Sequence, residues 1–434
     1  MDNIRLMGWQ VPLAEHQTKA LTNGRAMLSA CGTGSGKTYL ACQTIRDLKM
    51  PTLVVCPKIA RSQWRSVIAG MGAEEYVIDV VNPEQLSKKT GCSYYKQETG
   101  WAEMFSKPTL LVFDEVHRGA SGIKSKTTEA LARWCNKAHP DNKVLMLSAT
   151  PFDSPMKMRG IGYVMGFHRF VTSSFYDWCR QNGCSNHKYG FGFTTDRLRA
   201  RAIMADIRRK MGERFLSVTP EDIPGFPEET KEVILADLAE KDHEALVKAY
   251  AEMPPQLTKM SQDARVKTLR LRQQAEFCKA GVLAEMAMNH VADGNSVFVC
   301  LNFTDARLRL QKHLEQAGVE YASIYGGQPE RERQAGIDAF QSNKTHVMIG
   351  MAPACSVALS LHDVRHERPR VSLISPGYSA AEFSQALGRI RRVGGTHATQ
   401  FIVMAARSVE ERVGRTIERK MDNIAALMDS DFIR

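Results

Sequence analysis

The chain has 434 residues, enough for two or three domains with separate cores, and an ordinary globular composition of 43% hydrophobic and 24% charged residues. Its formal charge of +11 and pI of about 9.1 point to a polyanionic partner, with a basic but non-binding surface as the alternative. No apolar run approaches the roughly 18 residues of a membrane span, and the 10 cysteines contain no C-x-x-C pair, which argues against a disulfide framework and for a reducing cytoplasm.

The first predicted elements are an apolar strand, RAMLSA (25–30), a glycine-rich loop, CGTGSGKT (31–38), and a helix. The loop departs from the phosphate-loop pattern G-x-x-x-x-G-K-[ST] at its first position, Cys31. Gly32, Gly34 and Gly36 still allow close backbone approach, so the amides of the loop, those of Thr33 and Ser35 included, can cradle phosphates. Lys37 can reach the β and γ phosphates, Thr38 can ligate Mg²⁺, and the helix start adds its positive end. The expected cofactors are ATP and Mg²⁺.

Strands follow at TLVVCP (52–57), TLLVFDE (109–115) and KVLMLSAT (143–150). Asp114 and Glu115 fall at a strand's carboxyl edge, where parallel sheets bind ligands. Asp114 suits Mg²⁺ held through water, and Glu115 suits polarisation of an attacking water. Ser148 and Thr150 end the third strand and, by themselves, could simply cap it.

From Phe152 to Phe226 the chain is richer in Gly, Arg and aromatic residues, with few strand-like runs. On the helix predicted at 194–214, Arg197, Arg201 and Arg208 fall within an arc of roughly 40°, with Ile203, Ile207 and Met211 on a neighbouring arc that can face a core. The basic stripe either tracks phosphates or is a solvated face. Cys179, Cys184 and His187, with His168 upstream, match no common zinc spacing. The rings of HKYGFGF (187–193) could stack on a base or lie in a turn. The proline-rich TPEDIPGFPEET (219–230) marks a boundary.

Apolar strands resume at ETKEVILADL (229–238), NSVFVCLN (295–302), THVMIGM (345–351) and RVSLISP (370–376). Near-continuous apolar strands alternating with helices imply parallel sheets covered on both faces. In FSQALGRIRRVGG (383–395), Arg389 and Arg392 lie three apart, which predicts one face of a helix. Their guanidiniums suit a γ-phosphate, the alternative being a solvated basic helix end. The expected fold is α/β: a first lobe over 1–155, a mainly helical insertion over 156–226, a second lobe over 227–410 and a terminal helix over 411–434.

The phosphate loop, DEVH (114–117), SAT (148–150) and QALGRIRR (385–392) stand in the order and spacing of a superfamily-two helicase or translocase. The chain resembles that superfamily over residues 15 to about 410, less the middle segment. LVVCPKIARSQW (53–64), DEVHR, IYGGQPERERQAGIDAFQ (324–341) and QALGRIRRVGG resemble its Swi/Snf-like DNA translocase branch in a compact, phage- or bacterial-type form. The superfamily tolerates a small residue at the position of Cys31. The resemblance implies two RecA-like lobes with ATP between them. Hydrolysis would be carried by Lys37, Asp114, Glu115, Gln385, Arg389 and Arg392, and Gln17 would read adenine. It also implies coupling through His117, Ser148 and Thr150, and strand contacts at Pro57, Lys58 and Asn302. A site completed only on lobe closure would link hydrolysis to movement.

One departure lies in the fifth motif, usually glycine-rich. In APACSVALSLHD (352–363), Cys355, Ser356, Ala358 and Ser360 stand where Gly, Gly, Gly and Asn are expected, and a position needing positive φ would be strained. The implied function is an ATP-dependent DNA helicase or translocase on duplex or forked DNA, rather than RNA. Its setting would be replication, recombination or repair, with proteins of those processes as partners. A branch-migrating or RNA–DNA unwinding enzyme and a nucleotide-switched DNA clamp with weak hydrolysis are the alternatives. MDNIRLMGWQ has no signal-peptide core, so the expected location is the cytosol of a bacterium or an infected host cell, away from membranes.

Overall fold

The computed structural model describes residues 4–87, 107–119, 125–137, 139–187, 190–251, 262–355 and 359–428. Its strands, in chain order, are β1 (Ala26–Ser29), β2 (Thr52–Val55), β3 (Val77–Val81), β4 (Leu110–Phe113), β5 (Lys143–Leu147), β6 (Cys184–His187), β7 (Gly190–Phe193), β8 (Phe215–Leu216), β9 (Glu229–Ala236), β10 (Ser296–Leu301), β11 (Tyr321–Ile324), β12 (Val347–Met351), β13 (Arg370–Ile374) and β14 (Ala398–Ala405). The chain divides into two compact units, residues 1–224 with 420–434, and residues 225–419.

In the first unit six strands form one sheet in the order β3-β2-β4-β5-β1-β8, every pairing parallel. Parallel neighbours need crossovers, and the helices supplying them cover both faces. That is why β1, β2 and β4 read as unbroken apolar runs and are buried at every residue. The crossover after β1 is the helix Lys37–Leu48, which buries Leu40, Ala41, Thr44 and Ile45 at helical spacing.

The middle segment belongs to this unit. It holds an antiparallel hairpin, β6 with β7, which its sparse strand signal did not foretell. Its helix Arg197–Met211 starts on an Asp196 cap that accepts from the Arg199 amide. The buried face of that helix is Ala200, Met204, Ile207 and Met211. Ile203, expected in the core, is only half-buried, and Met204 takes the position. Residues 420–428 of the last helix, Val409–Met428, also pack here. The Asn423 side chain donates to the Asp153 carbonyl at 3.1 Å, the Ser217 hydroxyl donates to the Met428 carbonyl at 3.0 Å, and Asp422 pairs with Arg197.

The second unit carries a six-stranded sheet in the order β11-β12-β10-β13-β14-β9, again all parallel. Its core joins Val297, Val299 and Leu301 of β10 and Val347 and Ile349 of β12 to the inward face of the helix Thr304–Gln316, that is Ala306, Leu310 and Leu314. Among the described residues, no helix is long and apolar enough to cross a membrane.

Candidate active site

The loop between β1 and its helix has the conformation a phosphate cradle needs. Gly34 (φ 84°) and Gly36 (φ 78°) are left-handed. Cys31 is not among the left-handed residues, so the first loop position makes no demand for glycine. Its side chain is fully buried, 3.5 Å from the Ser29 hydroxyl, where a small apolar group fits. A Cβ on Gly36 would come within 2.4 Å of Gln10 Nε2, so Gln10 would have to move, and φ 78° strains any side chain there. The Lys37 ammonium donates to the carbonyls of Cys31 (2.9 Å) and Gly32 (3.0 Å), and the Ser35 hydroxyl donates to Gly32 O at 2.8 Å. Half-buried Thr33 and Thr38 complete the loop.

β4 delivers Asp114 and Glu115 to the same edge. Asp114 Oδ2 accepts the Trp64 indole N–H at 2.9 Å, and Oδ1 accepts the Glu115 amide at 2.9 Å. Burial, and then the Glu115 carboxylate, push Asp114 up to about 6, while the Trp64 bond and the nearby Lys37 charge oppose the rise. Glu115 sits at φ 50°, a conformation that costs a non-glycine residue about 1 kcal/mol or more and turns the chain sharply after the strand. Two turns of sequence are brought together by His117, whose Nδ1 lies 2.8 Å from the Ser148 hydroxyl. That hydroxyl also accepts the Thr150 amide at 3.1 Å. Burial lowers His117 to about 3, so its ring is neutral and its 3.3 Å contact with Glu115 is not an ion pair at pH 7. The Thr150 hydroxyl is buried with no partner among the described residues.

Gln17 is fully buried, its amide bridging the Ser29 hydroxyl (2.8 Å) and the Thr44 hydroxyl (3.0 Å) inside the lobe. The glutamine that touches the loop is Gln10: its Nε2 donates to Ser35 O at 3.0 Å, and its Oε1 accepts the Met7 amide. Sequence reasoning gave Gln10 and Trp64 no role in the site, although Trp64 closes the LVVCPKIARSQW segment; its burial in the helix Arg61–Gly70 is seen only in the structure. Half-buried Pro57 and exposed Lys58 follow β2 on the carboxyl edge. The basic stripe is partly engaged: Arg197 pairs with Asp422, Arg208 lies 5.9 Å over the Phe215 ring, and Arg201 is exposed.

In the second unit the helix Ala380–Leu387 carries buried Gln385 and stops at Gly388. Arg389 and Arg392 therefore do not share a helix face, as their spacing had suggested. They lie in the turn beyond it, and both donate to one acceptor, the Leu359 carbonyl, at 2.8 Å each. Burial, and then the neighbouring Arg389 charge, lower Arg392 to about 9. In the fifth motif Cys355 is buried, and neither it nor Ser360 has a positive φ, so these two replacements carry no backbone strain. Ser356 and Ala358 lie outside the described residues. Around Cys179, Cys184 and His187 no metal cluster forms among the described residues.

Asn302, at the end of β10, is held by a network that no motif announced. Fully buried Glu276 accepts the amides of Asn302 and Phe303 (2.8 Å each), the Asn302 side chain (2.7 Å) and the Ser375 hydroxyl (2.5 Å). Beside it, fully buried Lys279 donates to the Ser375 hydroxyl (2.8 Å), the Val403 carbonyl (2.8 Å) and Glu410 (2.6 Å). Desolvation raises Glu276 above the usual carboxylate range, the Lys279 charge working against it.

Two RecA-like parallel sheets, the first ending in a phosphate cradle and an acidic pair, define a nucleotide-hydrolysing motor of the helicase class. Known proteins agree. Residues 5–153 match the family "Type III restriction enzyme, res subunit", and residues 278–394 match "Helicase conserved C-terminal domain". The chain is also 27% identical, over 94% of its own length and 80% of the relative's, to a protein of Acanthamoeba polyphaga mimivirus provisionally named an ATP-dependent RNA helicase. The chain is a superfamily-two helicase, an enzyme that hydrolyses ATP and acts on nucleic acid.

Proposed function

We propose that the enzyme couples Mg·ATP hydrolysis to movement along DNA, with duplex or forked DNA as its track, in the manner of the Swi/Snf-like branch. The observation that carries the nucleotide half of this reading is the convergence of the left-handed Gly34–Gly36 loop, Lys37 and Asp114 on one sheet edge. The left-handed turns at Gly34 and Gly36, a hydroxyl at Thr38 and a carboxylate at Asp114 fit a magnesium-bound triphosphate. When bound, magnesium would neutralise charge developing on the phosphates.

In this reading Gly32 to Gly36 present amides to the phosphates, and Lys37 exchanges its two loop carbonyls for phosphate oxygens. Thr38 and Asp114 hold the metal, and Glu115 orients and deprotonates the attacking water. Gln385, Arg389 and Arg392 answer the γ-phosphate. His117, Ser148 and Thr150 are joined by hydrogen bonds, so a shift at Glu115 reaches the end of β5. Gln10 takes the nucleotide-side place expected of Gln17, because Gln10 meets the loop. Pro57, Lys58, Asn302 and the stripe of Arg197, Arg201 and Arg208 are our nucleic-acid contacts, with Arg201 the most available of the stripe.

Support for DNA comes from the Q-A-x-G-R-x-x-R-x-G segment, the LVVCPKIARSQW segment and the restriction-type first domain. RNA is the second reading, favoured by the name of the mimivirus relative. The test is steady-state ATPase at one moderate salt concentration, alone and with duplex DNA, single-stranded DNA or RNA, since phosphate contacts are salt-dependent. Duplex DNA should stimulate most, and Lys37→Ala should abolish turnover. Stimulation by RNA alone would move the enzyme to the second reading, and retained turnover in Lys37→Ala would overturn the site.

A further inference from the structure

The first sheet has a second ligand-like feature at its opposite, amino edge. β1 and β5 begin there, and a cavity of about 580 Å³ opens beside Ala26 and Val144. Three arginines line it, Arg25, Arg169 and Arg214, together with the rings of Tyr163 and Phe170, and among the described residues no carboxylate does. Among the described residues, Arg25 and Arg214 each give one hydrogen bond, to the carbonyls of Cys135 and Met165, and none of the three arginines is ion-paired. Those single bonds orient each fork while leaving most of its five donors for another acceptor. The Arg159 guanidinium lies 4.9 Å over the Phe170 ring, outside the cavity lining. Tyr163 and Phe170 meet edge to face at 5.2 Å and form a rigid aromatic wall.

Like charges gathered in a concavity repel one another, and an anion bound among them relieves that repulsion. Guanidinium forks suit phosphate, and an aromatic wall suits a planar ring. We propose that this cavity binds a nucleotide unit, its phosphate held by Arg25, Arg169 and Arg214 and its base lying against Tyr163 and Phe170. The site is distinct from the phosphate loop: the four residues of β1 separate them, roughly 13 Å of strand. The nucleotide unit belongs either to a bound strand or to a free mononucleotide.

The clean probe is Arg169→Glu, because Arg169 is exposed and its side chain makes no described hydrogen bond, so the fold has no reason to change. The parent should be full-length Lys37→Ala, which takes the phosphate loop out of the measurement. A fluorescein-labelled 15-nucleotide strand and a fluorescent AMP analogue are titrated separately by anisotropy. Arg169→Glu should weaken one probe about tenfold and reduce the salt slope by about one charge. Loss for the strand alone identifies a strand site, and loss for the mononucleotide identifies a free-nucleotide site. Phe170→Leu should weaken the same probe at least fivefold through lost stacking. Lys19→Glu, an exposed charge reversal outside the cavity, should change neither probe. Unchanged binding of both probes to Arg169→Glu, or an equal loss from Lys19→Glu, would overturn the proposal. Because ATP hydrolysis is not the readout, a failure of the loop assignment would appear elsewhere, as turnover persisting in Lys37→Ala.

Discussion

Replacing Lys279 by methionine removes a cation from the middle of the second lobe and keeps most of its stem. Its ammonium is fully buried and gives three hydrogen bonds of 2.6–2.8 Å. After the substitution, Glu410 is a carboxylate with 3% of its side chain exposed, and the described donor left to it is the Ala405 amide at 2.8 Å. Glu276, also buried, loses its nearest stabilising charge. Removing one partner of a buried ion pair costs about 3–5 kcal/mol, mostly because the other charge stays buried and unpaired. We expect about 4 kcal/mol, which at a urea dependence of about 2 kcal/mol per molar lowers the midpoint by about 2 M. The optical probe matters here. All 5 tryptophans (Trp9, Trp64, Trp101, Trp134 and Trp178) precede the second unit, so their fluorescence reports on the first. Far-ultraviolet circular dichroism or hydrogen exchange of β10 and β13 should therefore show the shift while tryptophan fluorescence shows little. Lys279→Met/Glu410→Gln, which removes both charges, should recover at least about 2 kcal/mol relative to the summed single changes. A shift under about 0.5 M, or a double variant as costly as the sum, would refute a buried-charge origin.

Gly36→Ala should lose ATP turnover by at least a hundredfold, because it combines φ 78° with a 2.4 Å approach to Gln10, whereas Cys31→Ala should keep turnover within threefold and cost about 1 kcal/mol in stability. Steady-state ATPase and urea unfolding separate the two, and an active Gly36→Ala enzyme would show the loop to be remodelled. His117 should make the first lobe acid-labile. Its pKa is about 3 in the folded protein against 6.5 in an unfolded chain, so both states are neutral above pH 6.5. Below pH 6.5 only the unfolded chain takes the proton, and stability falls by up to about 1.4 kcal/mol per pH unit until pH nears 3. Between pH 7.5 and 5, His117→Asn should lose about 2 kcal/mol less than the wild type by tryptophan fluorescence, and equal losses would remove His117 from the acid response.

The fold was legible wherever burial on both faces forces an unbroken apolar run, as in TLLVFDE, because such a pattern needs only local chemistry. The phosphate loop was legible for the same reason: its glycines answer local backbone demands. Contacts between distant residues were not. The Lys279–Glu410 pair spans 131 residues of sequence, and neither residue stands in a motif. Spacing alone placed Arg389 and Arg392 on a helix, but the helix stops at Gly388, and a shared carbonyl acceptor then sets their geometry. Likewise an amide's role depends on what lies across from it, so Gln17 and Gln10 could not be told apart from their neighbours in the chain. The burial of Met204 in place of Ile203 reflects a small rotation of one helix that hydrophobic periodicity is too coarse to resolve.

The first unit is made of two separate stretches of chain, and that fixes an order of events during synthesis. Its strands and phosphate loop are complete by residue 224, but the turns that carry Asp422, Asn423 and Met428 belong to residues 420–434. At ribosomal speeds of about 5–20 residues per second, the intervening stretch takes roughly 10–40 s to emerge. Through that interval the nascent first lobe exposes the Asp153 and Ser217 surfaces that its last helix will cover. Of the two lobes, the one whose strands are made first is thus completed after the other, and a ribosome that stalls within the second unit leaves behind the cradle-bearing lobe without the helix that covers it.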